Sequence, residues 1–261
     1  MVKLKELCDF FEEIAPKALA EDYDNVGLLV EGETDEISKI VIALDADEQT
    51  VCEAEKAGAQ LILTHHPIMF RPVNRLTESE GSQRTIRRLL KKGIGLFAMH
   101  TNLDSAENGL CDMFFDAFGP VKSRRAFNGE NCGIGRIGKL EQPCTLETLL
   151  QRGKTAFCPS GSLSYVGDQT ATVETVAVCN GGGADMIYEA YDLGAQVYIS
   201  GDCKHHHARF AYENGIHLIQ VNHYDAEVGF CQLMQIRLQK VFGDRLEAVV
   251  SAREQSPWKS F

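Results

Sequence analysis

The chain has 261 residues, 44% hydrophobic and 24% charged, which is ordinary globular composition for one large domain or two small ones. A net charge of −11 without a Lys/Arg cluster disfavours a nucleic-acid backbone as the main partner, and the basic stretch from Arg84 to Lys92 reads as a solvated helix face. No apolar run is long enough to span a bilayer, no signal-peptide pattern opens the chain, and nine cysteines lie scattered without C-x-x-C spacing, so reduced thiols, a cytoplasmic location and no membrane partner are expected.

Leu4, Leu7, Phe10, Phe11 and Ile14 recur at helical spacing over 3–19, with Pro16 ending or bending the helix. Asp24-Asn25 reads as a tight turn before a short strand, a turn-forming role being preferred over a place in a site. Ile40 to Leu44 is an apolar strand. Asp47 is a plausible N-cap for a helix that runs to Ala57 and stops at Gly58. Leu61 to Leu63 is the next strand, which makes a β-α-β unit with the usual right-handed parallel connection. It ends in His65-His66-Pro67. Pro67 keeps His66 out of helical geometry, so the chain leaves the strand extended with two imidazoles at its carboxyl end, where open α/β sheets bind ligands. Neighbours on an extended chain point to opposite sides, which suits two metal ions better than one. Taken alone, the triplet reads equally well as a surface turn.

A helix over about Gln83 to Lys92 stops at Gly93, and the strand from Gly95 to Met99 ends in His100-Thr101-Asn102-Leu103-Asp104. Residues 108–118 read as a helix. The stretch 121–175, rich in glycine and proline with short alternating runs such as Ser162 to Val166, reads as a connecting subdomain with one helix near Leu146 to Arg152. Val173 to Cys179 is a strand followed by Asn180-Gly181-Gly182-Gly183, a run that suits an anion or, equally, tight packing. After a helix from Ala184 to Leu193 and a strand from Gln196 to Ser200 comes Gly201-Asp202-Cys203-Lys204-His205-His206-His207, with a helix over 205–213. The strand from Ile216 to Val221 leads to His223 and Glu227, a last helix covers about Asp225 to Phe242, and the polar tail after Ala252 is expected to fray.

The chain repeats itself. Shifted by 136 residues, Ile40 to Thr64 falls on Val176 to Ser200 without a gap; Glu53-Ala54 meets Glu189-Ala190, and Gly58-Ala59-Gln60 meets Gly194-Ala195-Gln196. The expected fold is therefore α/β, with two similar lobes facing each other across a cleft of strand-end loops. The lobes are placed at 1–120 and 176–261, with 121–175 between them.

Mixed imidazole and carboxylate donors suit zinc, manganese, iron or nickel and hardly calcium or magnesium. The strongest ligand candidates are His65, His66, Asp104, His223 and Glu227. His223 and Glu227 share a face if a helix already begins there. A carboxylate among histidines can bridge two ions, and paired ions lower the pKa of water and clamp reacting oxygens. His100 and His206 are read as orienting groups or proton carriers, or equally as hydrogen-bonded structural histidines. At least one of His205 and His207 is expected on the surface.

The runs Asp24-Asn25-Val26-Gly27-Leu28, Thr64-His65-His66-Pro67 and His100-Thr101-Asn102-Leu103-Asp104, then Gly201-Asp202 with His206, and finally His223 with Glu227, resemble the NIF-three-like dinuclear metal-centre family. Its members are often labelled homologues of GTP cyclohydrolase I type 2. The resemblance spans the chain, including Gly133-Ile134-Gly135-Arg136-Ile137-Gly138. It implies two divalent ions per chain on His65, His66, Asp104, His223 and Glu227, two α/β lobes with the metals between them, and a ring-shaped homohexamer. The chain is too short for the large inserted domain of some relatives, and three histidines stand after Gly-Asp where one or two are usual. Three functions compete: a metal-dependent hydrolase acting on a purine-like, nucleotide-type substrate, a two-metal phosphoester hydrolase, and a non-enzymatic scaffold for metal storage, delivery or regulation.

Overall fold

Ile40 to Ala43 and Leu61 to Leu63 are apolar on both faces, as suits strands covered on both sides of a parallel sheet. In the computed structural model they are adjacent parallel strands and almost wholly buried. The structure describes residues 1–158 and 163–259. Pro159, Gly161 and Ser162, read above as part of the connecting stretch, lie outside the described residues.

In chain order the first elements are β1 (Val2–Lys3), α1 (Leu4–Ile14), β2 (Gly27–Val30), β3 (Glu36–Ile37), β4 (Lys39–Ala43), α2 (Glu48–Ala57), β5 (Leu61–Thr64), α3 (Gly81–Lys92), β6 (Gly95–Ala98) and α4 (Thr101–Ser105). Then follow α5 (Leu110–Asp116), β7 (Val121–Arg125), β8 (Arg136–Thr145), α6 (Leu146–Phe157), β9 (Ser164–Val166), β10 (Thr172–Val178), α7 (Ile187–Asp192) and β11 (Val197–Ser200). The chain closes with α8 (His205–Asn214), β12 (His217–Gln220), α9 (His223–Glu227), α10 (Gly229–Phe242) and β13 (Glu247–Val250). Among the described residues, no helix is long and apolar enough to cross a membrane.

The chain divides into two units, Met1–Leu103 with Val228–Phe261, and Asp104–Glu227. The first unit holds a five-stranded sheet in the order β13-β4-β5-β6-β2, parallel except for β2, which runs against β6. The second holds a six-stranded sheet in the order β7-β8-β10-β11-β12-β9, with β10, β11 and β12 parallel and β8 and β9 antiparallel to their neighbours. Side chains alternate across the second sheet. Val176, Val197 and Ile199 pack on one face with Phe114 and Leu149, while Ala177 and Tyr198 pack on the other with Ile187 and Ala211. In the first unit Val41, Ile62 and Leu96 pack with Val51 and Leu89.

The repeat is physical. Ile40 pairs with Leu61 in one sheet and Val176 with Val197 in the other, the same 136-residue shift read from the sequence. Gln60 Oε1 accepts from the N–H groups of Ser38 and Lys39, and Gln196 Oε1 accepts from those of Glu174 and Thr175. Gly58 and Gly194 take φ values of 68° and 83°, a left-handed turn between helix and strand that glycine adopts without a Cβ penalty.

Two boundaries differ from the sequence expectation. Residues 121–175 are not a separate connector: β7, β8 and β9 are strands of the second unit's sheet, and α6 packs on it through Leu146 and Leu149. After Glu227 the chain returns to the first unit, where β13 pairs in parallel with β4, Val249 opposite Val41. The apolar edge of β4 needs a hydrogen-bonding partner, and the chain's last strand supplies it. The tail beyond is pinned, not frayed, at Glu254, whose carboxylate accepts from the Leu44 N–H at 2.6 Å. The first helix ends at Ile14, short of Pro16, and the last expected helix is two, α9 and α10, interrupted at Val228.

Candidate metal centre

The parallel strands of the first unit deliver its polar groups at their carboxyl ends: Asp45 after β4, His65 and His66 after β5, and His100 after β6. Ring centroids of His65 lie 5.0 Å from His66 and 5.1 Å from His100, and one ring nitrogen of each lies within 4.8 Å of the others. Every one of these rings is held at Nδ1. His65 Nδ1 is 2.8 Å from the Met99 carbonyl oxygen, His66 Nδ1 is 2.9 Å from Asp45 Oδ1, and His100 Nδ1 is 2.9 Å from both oxygens of Asp24. A carbonyl or carboxylate oxygen only accepts, so Nδ1 carries a hydrogen, and whenever the ring is neutral its lone pair is at Nε2. That is the tautomer a metal ligand requires.

Asp24 does more than form a turn, the role the sequence suggested. Its carboxylate also accepts from the Thr101 hydroxyl at 2.5 Å and from the Thr101 N–H at 3.1 Å. Burial works to raise its pKa, but the hydrogen bonds from His100 and Thr101 outweigh burial and hold the carboxyl well below the usual carboxylate range. His100 lies among His65 and His66 rather than behind them, so its Nε2 is a candidate donor atom as well.

The second unit repeats the arrangement. Asp202 follows β11 and His223 opens α9 after β12. His223 Nδ1 is 2.7 Å from Asp202 Oδ2, and its Nε2 is 2.9 Å from Glu227 Oε2, one helical turn on. Burial lowers the His223 pKa, yet the two carboxylates prevail and push it up to about 9. The proton held between Nε2 and Glu227 marks a place suited to a cation. Asp202 takes this position with φ at 53°, uncommon for a residue with a side chain.

Asn180 stands at the head of the glycine run, where nothing in the sequence marks it as a site residue. Its Nδ2 donates to Asp104 Oδ1 at 2.8 Å and to Glu227 Oε1 at 3.2 Å, and its Oδ1 accepts from the Cys111 thiol at 2.7 Å. Two acceptor-only carboxylates on one side and a thiol donor on the other fix the orientation of the amide. Gly181 comes next in the loop. A Cβ there would lie 1.8 Å from Glu227 Oε1, so the glycine makes the space in which that carboxylate sits. The glycine run thus serves a carboxylate of the chain itself.

His206 does not join this set. Among the described residues it groups with Asp185 and His207, its ring centroid 4.0 Å from that of His207. His207 is buried with both nitrogens engaged: Nδ1 accepts from the Lys204 N–H at 3.0 Å, and Nε2 faces Asp185 at 2.8 Å. This tautomer is the reverse of that in His65, His66, His100 and His223. With Nδ1 accepting, Nε2 needs its proton, so His207 is built to start α8 and not to hold a metal. His205 and His206 are exposed at the start of the same helix.

The donor chemistry therefore fits a divalent transition metal in both units: imidazole Nε2 lone pairs fixed from behind, and carboxylates steadied by an amide. The sequence contained a signal for the groups behind the rings, since Asp45 and Asp202 are carboxylates at strand ends, but their partners lie 21 residues away in each case.

Residues 2–257 match the profile of the Duf34/NIF3 (NGG1p interacting factor 3) family. The chain is 32% identical over 262 residues to a Clostridium perfringens protein named GTP cyclohydrolase 1 type 2 homolog, with 99% of each chain covered. It is 33% identical over 265 residues to the protein of the same name from Clostridium acetobutylicum, covering 99% of this chain and 98% of that one. A hypothetical protein of Staphylococcus aureus has the same fold, with a TM-score of 0.89 at 26% identity and coverage of 100% and 99%. Reduced HcgD from Methanocaldococcus jannaschii aligns with a TM-score of 0.83 at 30% identity over 95% and 97% of the two chains. Fold, strand-end chemistry and sequence agree, and the chain belongs to the Duf34/NIF3 family.

Proposed function

We propose that this protein holds two divalent transition-metal ions and hydrolyses a nucleotide-like substrate with them. His65, His66, Asp104, His223 and Glu227 would hold the ions. The observation that carries the reading is the shared support behind the rings: Met99, Asp45 and Asp202 engage Nδ1 of His65, His66 and His223, so Nε2 is the nitrogen each ring would offer a metal ion in exchange for any proton on it.

Paired divalent ions in such donors supply Lewis acidity and lower the pKa of a water molecule. The chain's own contribution is positioning and proton movement. Asn180 holds the Asp104 and Glu227 carboxylates in one orientation. His100, secured at Nδ1 by Asp24, offers Nε2 to take up or return a proton beside His65 and His66. His206, exposed at the start of α8, would be a second proton carrier. The names of the clostridial relatives favour a purine nucleotide, whose ring opening releases formate. The family resemblance also favours a homohexamer in the cytoplasm, which light scattering and fractionation would measure.

The test is elemental analysis of protein purified without added metal or an affinity tag, together with His65→Ala and Glu227→Ala. About two ions per chain, lost in both variants, is the expected result. The metal-loaded protein is then assayed on nucleotides for formate and for phosphate. His206→Ala should slow turnover while keeping its metal. Phosphate without formate would favour phosphoester hydrolysis, and bound metal without any turnover would favour storage or delivery. No metal bound and none taken up on titration would sink the proposal.

A further inference from the structure

Tyr23 and Phe70 are large aromatic side chains left 63% and 46% exposed. They come from separate segments, the turn before β2 and the loop that follows His66-Pro67, yet their ring centroids are 5.9 Å apart. The centroid of Phe70 lies 6.3 Å from that of His100, edge to face. The backbones beneath the two rings are anchored. Asn25 Nδ2 donates to the Met69 carbonyl at 2.7 Å, tying one segment to the other. Asp24, beside Tyr23, is the carboxylate that holds His100 Nδ1. One turn thus carries both an exposed ring and the group that orients His100. Exposure here is not the consequence of a loose loop.

We infer that Tyr23 and Phe70, their ring planes tilted 59° to each other, form an aromatic corner for a planar heteroaromatic ring of the substrate, alongside His100, one ring meeting its face and the other its edge. The inference rests on the hydrolase reading above and deepens it by naming what the substrate presents to this side of the site. Exposed rings on fixed backbone lose little side-chain freedom on binding, since each has only two χ angles. They bury apolar area against a flat partner, and their quadrupoles favour an aromatic face or edge over an aliphatic chain. A heteroaromatic ring held there lies next to the His100 imidazole, the group proposed to carry a proton.

The experiment measures binding of guanosine, adenosine and cytidine to the metal-loaded full chain by calorimetry. Phe70→Ala, Tyr23→Ala, Phe70→Leu and Tyr23→Phe are compared, with metal content determined on the same samples. Phe70→Ala and Tyr23→Ala should each weaken nucleoside binding about 5- to 150-fold, the usual range for one stacking partner. Phe70→Leu should weaken it too, since leucine keeps apolar area but has no π-face. Tyr23→Phe should bind as wild type, and all four should keep their metal. Wild-type protein that binds none of the three nucleosides, or a Phe70→Ala variant that binds them unchanged, overturns the inference. Unchanged affinity together with an altered sedimentation coefficient would instead assign the rings to contact with a second copy of the chain. Wild-type protein without metal would mark failure of the hydrolase reading itself, a result the metal analysis separates from loss of stacking.

Discussion

Gly181→Ala disturbs the candidate centre without removing any proposed ligand. Gly181 has φ at +58°, and an added Cβ would meet Glu227 Oε1 at 1.8 Å, Glu227 Cδ at 2.6 Å and His223 Nε2 at 3.2 Å. Two costs follow. Left-handed backbone costs a residue with a side chain about 1–2 kcal/mol, which should appear in the stability of the metal-free protein. The carboxylate must also retreat by roughly 1.6 Å to restore ordinary contact. That movement stretches its 3.2 Å hydrogen bond from Asn180 and its 2.9 Å contact with His223. Displacing an oriented ligand typically costs about 10- to 100-fold in metal affinity. By linkage, the stabilisation given by saturating metal should fall by about 1.4–2.7 kcal/mol. The assay is denaturant unfolding of wild type and variant, with and without metal, beside a competition titration against a chromophoric chelator. Gly181→Asn separates the two costs, because asparagine tolerates the left-handed region but carries the same Cβ. It should lose less metal-free stability and as much metal affinity. A Gly181→Ala protein that binds metal as tightly as wild type would refute the reasoning.

Two further predictions test neighbouring features. Arg136 is 1% exposed, with Nε 2.5 Å from Asp112 Oδ1 and its other nitrogens on the carbonyls of Gly133, Gly135, Ser105 and Ala106. Arg136→Met leaves Asp112 and those carbonyls poorly paired and should cost about 3–5 kcal/mol in denaturant unfolding, while a loss below about 1 kcal/mol would show that Arg124, whose Nε also lies 3.0 Å from Asp112 Oδ1, suffices for it. The Cys203 thiol is pushed up to about 12, by burial first and by the Asp202 charge second. At pH 8 about one in ten thousand of these thiols is then thiolate, so its alkylation by iodoacetamide, followed by peptide mass spectrometry, should lag far behind that of an ordinary free thiol. Alkylation at the ordinary rate would contradict the thiol's environment.

The periodic runs carried the fold because burial imposes its period locally: a strand such as Leu61 to Thr64 is buried on both faces wherever it packs. The repeat was legible for the same reason. Gln60 and Gln196 do the same hydrogen-bonding work, so the same residue stands at both places. The proposed ligands His65, His66, Asp104, His223 and Glu227 were legible as unusual polar residues directly after apolar strands. What escaped was the tier behind them. Asp24 looked like a turn, Asn180 like the start of a glycine run, and His207 like one more member of a histidine tract.

The sequence by itself determined the class of the fold, the order of strands and helices within the doubled βαβ plan and the residue types gathered at the strand ends. These are properties of local period and local composition. Only the tertiary structure decided that β13 returns to pair with β4, that residues 121–175 complete the second sheet, and which group faces Nδ1 of each imidazole. The reason is physical. An imidazole's tautomer is set by whichever group faces Nδ1. For His100 that group is a carboxylate 76 residues away in the chain, and for His207 it is a backbone N–H only three residues away. No hydrophobic period encodes that choice: for His100 it exists only once separate segments have packed, whereas for His207 it is made within the first turn of α8.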